Sequence, residues 1–188
     1  SWNTTSLPGG DGLYDLRART TDDASNTTTV ENTSILVDNV PPSVAITAPA
    51  AAINGSLPSP TSFSATAGDP GGSGVQDVQF FECSNQSNNC STGVWSPLGT
   101  VPAPGPYSVS WNIPATDGNH ALAAVATDNA GHASSAIRNV DVDRTAPETT
   151  ITGKPADPSN AATPSFTFSS SEAGSTFECR IDGGAWAP

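Results

Sequence analysis

An internal repeat is the feature of this sequence that most constrains its fold. The stretch "SWNTTSLPGGDGLYDLRARTTDDASN" at 1–26 matches "SWNIPATDGNHALAAVATDNAGH" at 110–132. Both begin with Ser-Trp-Asn, continue through Asp-Gly into an alternating segment, and reach Thr-Asp-x-Ala. Each then leads through a second alternating segment to Val-Asp and a proline, and these prolines, Pro42 and Pro147, lie 105 residues apart. A period near 100 residues predicts a string of sandwich-sized domains rather than a solenoid, whose units have about 20–50 residues.

A second match divides the chain into three parts. The stretch "FFECS" at 80–84 matches "TFECR" at 176–180. We therefore expect the C-terminal half of one repeat at 1–39, a complete repeat at 40–144 and the N-terminal half of a further repeat at 145–188. Because the chain contains no Met and ends just after the predicted turn of a hairpin, we expect it to be a fragment of a longer polypeptide.

The patterning within the complete repeat predicts an all-β domain. Gly and Pro number 17 each, and clusters of turn residues separate short alternating runs, whereas a sustained apolar stripe of helical period is missing. We expect seven strands, at 43–47, 61–67, 75–83, 93–98, 106–111, 119–127 and 134–142. Turn signals at this spacing are typical of a two-sheet sandwich.

Alternation within these strands predicts which side chains face the core. About 105 residues suffice for one hydrophobic core. The predicted core residues are Val44, Ile46, Phe63, Ala65, Val78, Phe80, Val109, Trp111, Leu122, Ala124, Ala126, Ile137, Val140 and Val142.

The charge balance excludes several classes of partner. The chain has 18 acidic and 6 basic residues, a formal net charge of −12. Such a surface repels phosphate backbones and anionic lipid headgroups, so we expect no binding to nucleic acid. No apolar run approaches the roughly 20 residues that span a bilayer, so we expect no membrane insertion.

A search for catalytic residues yields no convergent set. His120 takes the strand position that Tyr14 holds in the first repeat, which predicts a core residue, and His132 follows a turn as a loop residue. Asp11 and Asp117, each followed by glycine, are typical turn residues. The sequence contains no P-loop, GxGxxG, GxSxG, HExxH or CxxC motif. We therefore expect the chain not to be an enzyme and to need no catalytic cofactor.

The combined motifs resemble a known family. Ser-Trp-Asn, Asp-Gly-x-(Tyr/His)-x-Leu-x-Ala, Thr-Asp-x-Ala-Gly and Val-Asp-x-x-x-Pro resemble the tandem bacterial Ig-like repeats of secreted and cell-surface proteins. Two departures are Ser25, which replaces the usual glycine, and a longer insert at 83–95. The resemblance implies tandem immunoglobulin-like or fibronectin-III-like β-sandwiches, one complete and two partial. It also implies an extracellular or cell-surface, non-catalytic spacer, such as an adhesin stalk or the accessory region of a secreted hydrolase.

The resemblance gives the three cysteines an expected role. In an extracellular repeat, Cys83 and Cys90 are expected to form a local disulfide, worth about 2–2.5 kcal/mol in the chain-entropy model. Two free thiols are the alternative, and a metal site is less favoured because suitably spaced further ligands are missing. Cys179 stands at the place of Cys83, so its partner is expected beyond Pro188.

The tryptophans leave a second function open. Trp2 and Trp111 recur with inward phase, which predicts core packing. Trp95 and Trp186, which we place at equivalent positions, lie beside the cysteine-flanked loop, where exposed rings are possible. Exposed aromatic platforms are what a carbohydrate-binding β-sandwich module needs. Glycan binding is therefore the alternative to a structural role.

The linkers and neighbouring loops contain a candidate calcium site. In a seven-strand sandwich the incoming linker, the loop between the second and third strands and the loop between the last two meet at one pole. These segments carry Asp38, Asp69 and Asp128. Calcium takes six to eight oxygen ligands, often from several carboxylates. The alternative is that each aspartate caps its own turn.

The linkers themselves predict a stiff array. The stretches 37–42 and 142–147 are short and contain proline, which fixes φ. We expect the principal partners to be neighbouring repeats of the same chain, with a cell-surface protein or glycan as a further possibility.

Overall fold

The alternating segments of the sequence form β-strands in this computed structural model. The structure describes residues 3–7, 10–54, 59–83 and 88–188. The strands in these ranges are β1 Gly12–Thr21, β2 Thr27–Val37, β3 Ser43–Ala48, β4 Ala52–Asn54, β5 Thr61–Gly68, β6 Val75–Cys83, β7 Trp95–Pro102, β8 Tyr107–Trp111, β9 Gly118–Asp128, β10 Ala133–Asp143, β11 Thr149–Gly153 and β12 Thr167–Ser170. None of the helices in the described ranges has the length and apolar character needed to cross a membrane. The chain divides into two compact units, Ser1–Arg144 and Thr145–Pro188.

The segment predicted as the complete repeat, residues 40–144, forms a sandwich of two sheets; it is called the complete repeat below. One sheet has the order β3-β5-β8 and the other β4-β10-β9-β6-β7. All neighbouring strands in them are antiparallel except β4, which runs parallel to the end of β10. The seven predicted strands are all present, with ends shifted by a few residues. The strand β4 was not predicted, because three residues are too few to show a period.

The core lies between the two sheets. Phe63 and Phe80 meet edge to face with ring centroids 4.8 Å apart, and Trp111 is fully buried. Eleven of the predicted core residues are buried, and Val44 and Val109 are partly buried against them. His120 is also buried, as predicted. The eleven are Ile46, Phe63, Ala65, Val78, Phe80, Trp111, Leu122, Ala124, Ala126, Val140 and Val142.

The prediction for Ile137 is wrong. Its side chain is 47% exposed, and it pairs with Ala123 on the outer face of the five-stranded sheet. Val140 and Val142 face inward, and Ala136 packs against the core, so the even-numbered positions of β10 form its buried side. Since side chains alternate along a strand, the odd-numbered Ile137 must face outward.

The hairpin β1–β2 has the same register as β9–β10. Leu16 pairs with Asn32 in the first hairpin as Leu122 pairs with Arg138 in the second, and the correspondence continues along both. The first hairpin has one extra residue, a bulge at Ser34, whose backbone has a φ of 61°. The repeat seen in the sequence is therefore also a repeat of strand pairing.

The C-terminal unit has the strand pairing of β3–β5. Ile151 pairs with Phe168 as Ile46 pairs with Ala65, and both ladders shift register immediately afterwards. Beyond β12, an isolated bridge joins Cys179 to Ala187.

The placement of Trp186 at the position of Trp95 needs a correction of one residue. Cys83 pairs with Trp95, whereas its counterpart Cys179 pairs with Ala187. The loop between the paired residues is shorter in the C-terminal unit, so alignment by residue type alone misplaced the tryptophan. A shift of one residue moves a side chain to the opposite face of a strand.

The contrast between Phe63 and Ile137 tests the assignment of the two faces. Phe63→Ala leaves a cavity against Phe80 and is expected to lower the free energy of unfolding by about 3–5 kcal/mol. Ile137→Ala removes a half-exposed side chain and is expected to cost about 1 kcal/mol or less. Urea unfolding followed by far-UV circular dichroism measures both. Equal losses for the two variants would contradict the assignment.

Candidate functional site

The linker after β2 is bonded to the elements on both of its sides. The Asp38 carboxylate accepts hydrogen bonds from the Ser73 N–H at 2.8 Å and the Val40 N–H at 3.3 Å. The neighbouring Asn39 donates its backbone N–H to Asp11 Oδ1 at 2.8 Å. Asp38 thus connects the linker to the loop between β5 and β6, and Asn39 connects it to the segment before β1. We call the linker and these partners the joint.

Two further contacts fix the joint. Pro42 is fully buried, and the Ser134 hydroxyl donates a hydrogen bond to its carbonyl oxygen. A cleft of about 600 Å³ lies beside the linker, between the end of β2 and the turn after β9. The linker is therefore part of the packed structure rather than a free tether.

The same bond recurs one repeat later. Arg144 occupies the place of Asn39 and donates its N–H to Asp117 Oδ1 at 2.7 Å. The sequence predicted Asp11 and Asp117 as turn residues, and it missed their role as acceptors for a linker N–H. The sequence contains a pattern that could have indicated this role. The aspartate and its N–H donor are separated by 28 residues in the first case and by 27 residues in the second.

A cluster of titratable groups lies at the same pole. Asp38, Asp128 and His132 each place one ligand atom within 4.8 Å of the other two. Asp128 is fully buried; its Oδ1 accepts hydrogen bonds from the N–H groups of Ala130 and His132, both at 2.9 Å. Its Oδ2 lies 3.2 Å from His132 Nδ1. The turn after β9 is thus built around the Asp128 carboxylate.

The structure brings two of the three predicted calcium ligands together. Asp38 and Asp128 belong to the cluster, and its third member is His132 rather than Asp69. The Asp69 carboxylate accepts a hydrogen bond from the Gly74 N–H at 2.7 Å and so caps its own loop. The sequence-based set of calcium ligands did not include His132, because only carboxylates were selected as candidate ligands in these loops. Two carboxylates and an imidazole can hold a divalent cation, although calcium prefers oxygen ligands.

Hydrogen bonds lower the pKa values of Asp38 and Asp22. Hydrogen bonding from Ser73 lowers the pKa of Asp38, with smaller contributions from the Val40 N–H and the charge of His132. Asp22, in the turn that corresponds to that of Asp128, has its pKa lowered mainly by Asn26, whose side-chain amide and backbone N–H both donate to it. Both carboxylates act as acceptors for the turns that surround them.

Cys83 and Cys90 form the predicted disulfide, with their Cα atoms 5.6 Å apart. The disulfide holds the short turn Asn88–Cys90 beside β10, where Asn89 and Asn139 exchange hydrogen bonds of 2.9 and 3.0 Å. Cys179 is a free thiol in this structure.

The outer face of the five-stranded sheet carries an apolar groove of about 320 Å³. Trp95, partly buried, contributes to its wall. The full lining is Phe81, Trp95, Ala123, Val125, Ser135 and Ile137.

Trp186 in the C-terminal unit is 58% exposed, and the Arg180 guanidinium lies 4.5 Å from its ring centroid. Trp111 is buried as predicted, and the prediction for Trp2 lies outside the described residues.

The fold is an all-β, immunoglobulin-like sandwich, and a family comparison agrees. Residues 42–124 match the family model described as "Bacterial Ig domain". The resemblance inferred from the sequence motifs is therefore confirmed for this segment. The number of tandem repeats stays a prediction.

One solved structure is also similar to the chain. It is described as "Structures of Clostridium thermocellum CbhA fibronectin(III)-like modules" and is 24% identical, with a TM-score of 0.41. The match covers 70% of this chain and 62% of that structure, so the chain spans less than two thirds of its length. Among curated proteins, none matches the chain.

The role of Asn26 at Asp22 is open to a direct test. Asn26→Ala removes the side-chain donor, so the pKa of Asp22 is expected to rise toward the ordinary range of an aspartate. A lowered pKa in the folded state contributes stability above the unfolded-state pKa, and this contribution is lost as pH falls through the folded-state pKa. Asn26→Ala should therefore weaken the turn at neutral pH more than at pH 2.

Carboxyl NMR titration measures the change in the pKa of Asp22. Asn32→Ala, on the same hairpin but away from the turn, is the matched control and should leave the titration unchanged. A pKa of Asp22 that is the same in Asn26→Ala and in the unaltered chain would contradict the assigned cause.

Proposed function

We propose that this chain is a non-catalytic structural spacer of a larger extracellular bacterial protein. Its sandwiches would set the distance and orientation of other domains, as in an adhesin stalk or the accessory region of a secreted hydrolase. The observation that carries the proposal is the hydrogen-bonded joint, in which Asp38 and Asn39 hold the linker to both neighbouring elements. A spacer transmits orientation only if its joints resist bending.

The joint resists bending for three reasons. Pro41 and Pro42 restrict the backbone, since proline fixes φ. Buried Pro42 cannot move without exposing apolar surface. Rotation of the hairpin about the linker must also break the bonds from Asn39 to Asp11 and from Ser73 to Asp38.

Two observations support an extracellular setting. The disulfide between Cys83 and Cys90 is typical of proteins in oxidising compartments. The match of residues 42–124 to the bacterial Ig domain agrees with this setting, because such domains are typical of extracellular bacterial proteins. Ig-like domains are also generally non-catalytic, which supports the structural role.

Polypeptides with two, three and four copies of residues 40–144 test the spacer function. Small-angle X-ray scattering should show a maximum dimension that increases by a constant amount per copy. Asp117→Ala in every copy removes the hydrogen bond from the Arg144 N–H. This change should make the connection between copies flexible and reduce the increase in maximum dimension per copy. Glu82→Ala, a change in strand β6, is the control. A collapsed globule, or dimensions unaffected by Asp117→Ala, would contradict the proposed role of the joint.

We also propose that calcium binds at this joint and stiffens it. Asp38 and Asp128 come from the linker and the sandwich, so a cation that bridges them would connect the two. Asp69 would join them only if its carboxylate released the Gly74 N–H. The hydrogen bonds already made by these carboxylates support the competing role of turn capping.

Isothermal titration calorimetry of the whole chain distinguishes the two roles. Calcium should bind at millimolar concentration or below, and Asp38→Ala with Asp128→Ala should abolish binding. His132→Asn, which keeps the turn polar, should leave calcium binding intact if oxygen ligands alone hold the ion. No heat of binding, or binding that survives the double change, would leave turn capping as the only role.

Carbohydrate binding is the alternative function, and Trp95 at the surface groove is the observation in its favour. Sugar hydroxyls need hydrogen-bond partners, whereas the groove is lined by apolar side chains and a single hydroxyl, that of Ser135. The structural role therefore has more support. Protection of tryptophan fluorescence by soluble polysaccharides would favour the alternative.

A further inference from the structure

We infer that the turn Asn88–Cys90 is a redox-sensitive cover on the outer face of the five-stranded sheet. In the oxidised chain, the disulfide between Cys83 and Cys90 holds this turn over Ala121. Reduction of the disulfide by a dithiol would release the turn. The apolar groove on the same face would then become longer.

Two alanines of β9 are buried although they lie outside the core. Ala121 and Ala123 are 0% and 5% exposed, yet neither belongs to the core cluster. Their neighbours Leu122 and Ala124 do belong to it. Since side chains alternate along a strand, Ala121 and Ala123 point to the outer face of the sheet. They are buried there only because other atoms cover that face.

The turn is attached to β10 beside the first of these alanines. Asn139 pairs with Ala121 across the β9–β10 ladder. The Asn89 N–H donates a hydrogen bond of 2.9 Å to Asn139 Oδ1, and Asn139 Nδ2 donates one of 3.0 Å to Asn89 Oδ1. The turn also contacts β9 itself. It therefore lies over the outer face at the level of Ala121.

The disulfide attaches the turn on the other side of the same alanine. The pairing of β6 with β9 extends to Glu82 and Leu122, so the next position along the two strands places Cys83 beside Ala121. Cys83 is 2% exposed and, like Ala121, does not belong to the core cluster. The turn thus spans Ala121 from β6 to β10, with a covalent bond at one end and hydrogen bonds at the other.

The position of the turn sets the length of the apolar groove. Ala123 and Ile137 form one pair of the β9–β10 ladder, and both line the groove of about 320 Å³. The pair Ala121 and Asn139, two residues further along, lies under the turn. The turn therefore closes one end of the groove, and its release would extend the apolar floor to Ala121.

The disulfide is the strongest constraint on the turn. Asn89 and Cys90 have φ values of 52° and 55°, in the left-handed region that residues with a Cβ atom disfavour. The hydrogen bonds between Asn89 and Asn139 are exposed, so water competes for the same groups. Without the covalent bond, we expect both residues to return to more favourable backbone conformations and the turn to leave the sheet.

Reduction proceeds by two thiol–disulfide exchange steps. Cys83 is buried, whereas Cys90 is partly exposed, so a thiolate of the dithiol attacks the Cys90 sulfur. A mixed disulfide forms at Cys90, and Cys83 leaves as a thiolate that takes up a proton. The second thiol of the dithiol then displaces Cys90. The dithiol is oxidised by two electrons to a disulfide, and its two protons end on the two cysteine thiols.

Paramagnetic relaxation of alanine methyl groups tests the proposal on the whole chain with Cys179→Ser, in which the disulfide pair are the only cysteines. A soluble gadolinium chelate relaxes the methyl groups that solvent can reach. Reduction with dithiothreitol should increase the relaxation of the Ala121 methyl several-fold, toward that of the exposed Ala45. The methyl of Ala124, on the inner face of the same strand, should stay protected.

A variant that cannot form the disulfide is the matched control. Cys83→Ser with Cys90→Ser should expose the Ala121 methyl as much as reduction does, with or without dithiothreitol. Its far-UV circular dichroism should remain that of the oxidised chain, because the core lies on the other face of the sheet. Re-oxidation of the reduced chain should restore the protection of Ala121.

Three results would overturn the proposal. Protection of Ala121 that survives reduction shows that other contacts hold the turn in place. Exposure of Ala124 together with Ala121 shows that the disulfide holds the sandwich together instead of a cover. A disulfide that dithiothreitol leaves intact in the folded chain shows that the turn does not respond to a dithiol.

Discussion

Burial of a two-stranded hairpin against a second sheet is the interaction on which this structure depends. In the complete repeat, Leu122 and Val140 from β9–β10 lie in one core with Phe63 from the facing sheet, and all three are fully buried. Pairing between strands satisfies the backbone hydrogen bonds of a sheet but leaves its apolar face exposed. Each sheet therefore needs the other sheet to bury that face.

The joint depends on a different interaction, the acceptance of backbone N–H groups by aspartate. Asp11 and Asp117 accept a linker N–H, while Asp38 accepts one from a loop of the sandwich. A hydrogen bond from a backbone N–H to a carboxylate is stronger than a hydrogen bond between two neutral groups. A chain of net charge −12 thus uses several of its carboxylates to order its turns and linkers.

The strands and most of the core could be predicted from sequence because period-two alternation reports directly which side chains are buried. The error at Ile137 arose because its residue type suggested the core, whereas its position relative to Val140 and Val142 already placed it outside. The position of Trp186 was missed for another reason. Loop length decides which residue faces Cys179, and residue identity does not reveal it.

The candidate site was less predictable than the fold. Sequence reasoning placed Asp38 and Asp128 at one pole, because strand direction determines which loops meet there. It also included Asp69, whereas the atoms that lie within 4.8 Å of one another belong to Asp38, Asp128 and His132. The orientation of a loop side chain depends on the hydrogen bonds that it makes. For Asp69 that partner is the N–H of Gly74.

The sequence by itself determined the internal match, the strand pattern and the all-β class, because these follow from residue types and their periodicity along the chain. The resemblance to bacterial Ig-like repeats added the expectation of the cysteine pair. The tertiary structure alone decided which aspartates bond to the linkers and which residues cluster at the joint. Those outcomes depend on contacts between residues tens of positions apart, such as Asp11 with Asn39 and Asp38 with Ser73. Their geometry is set only when the sheets pack and bring the loops together.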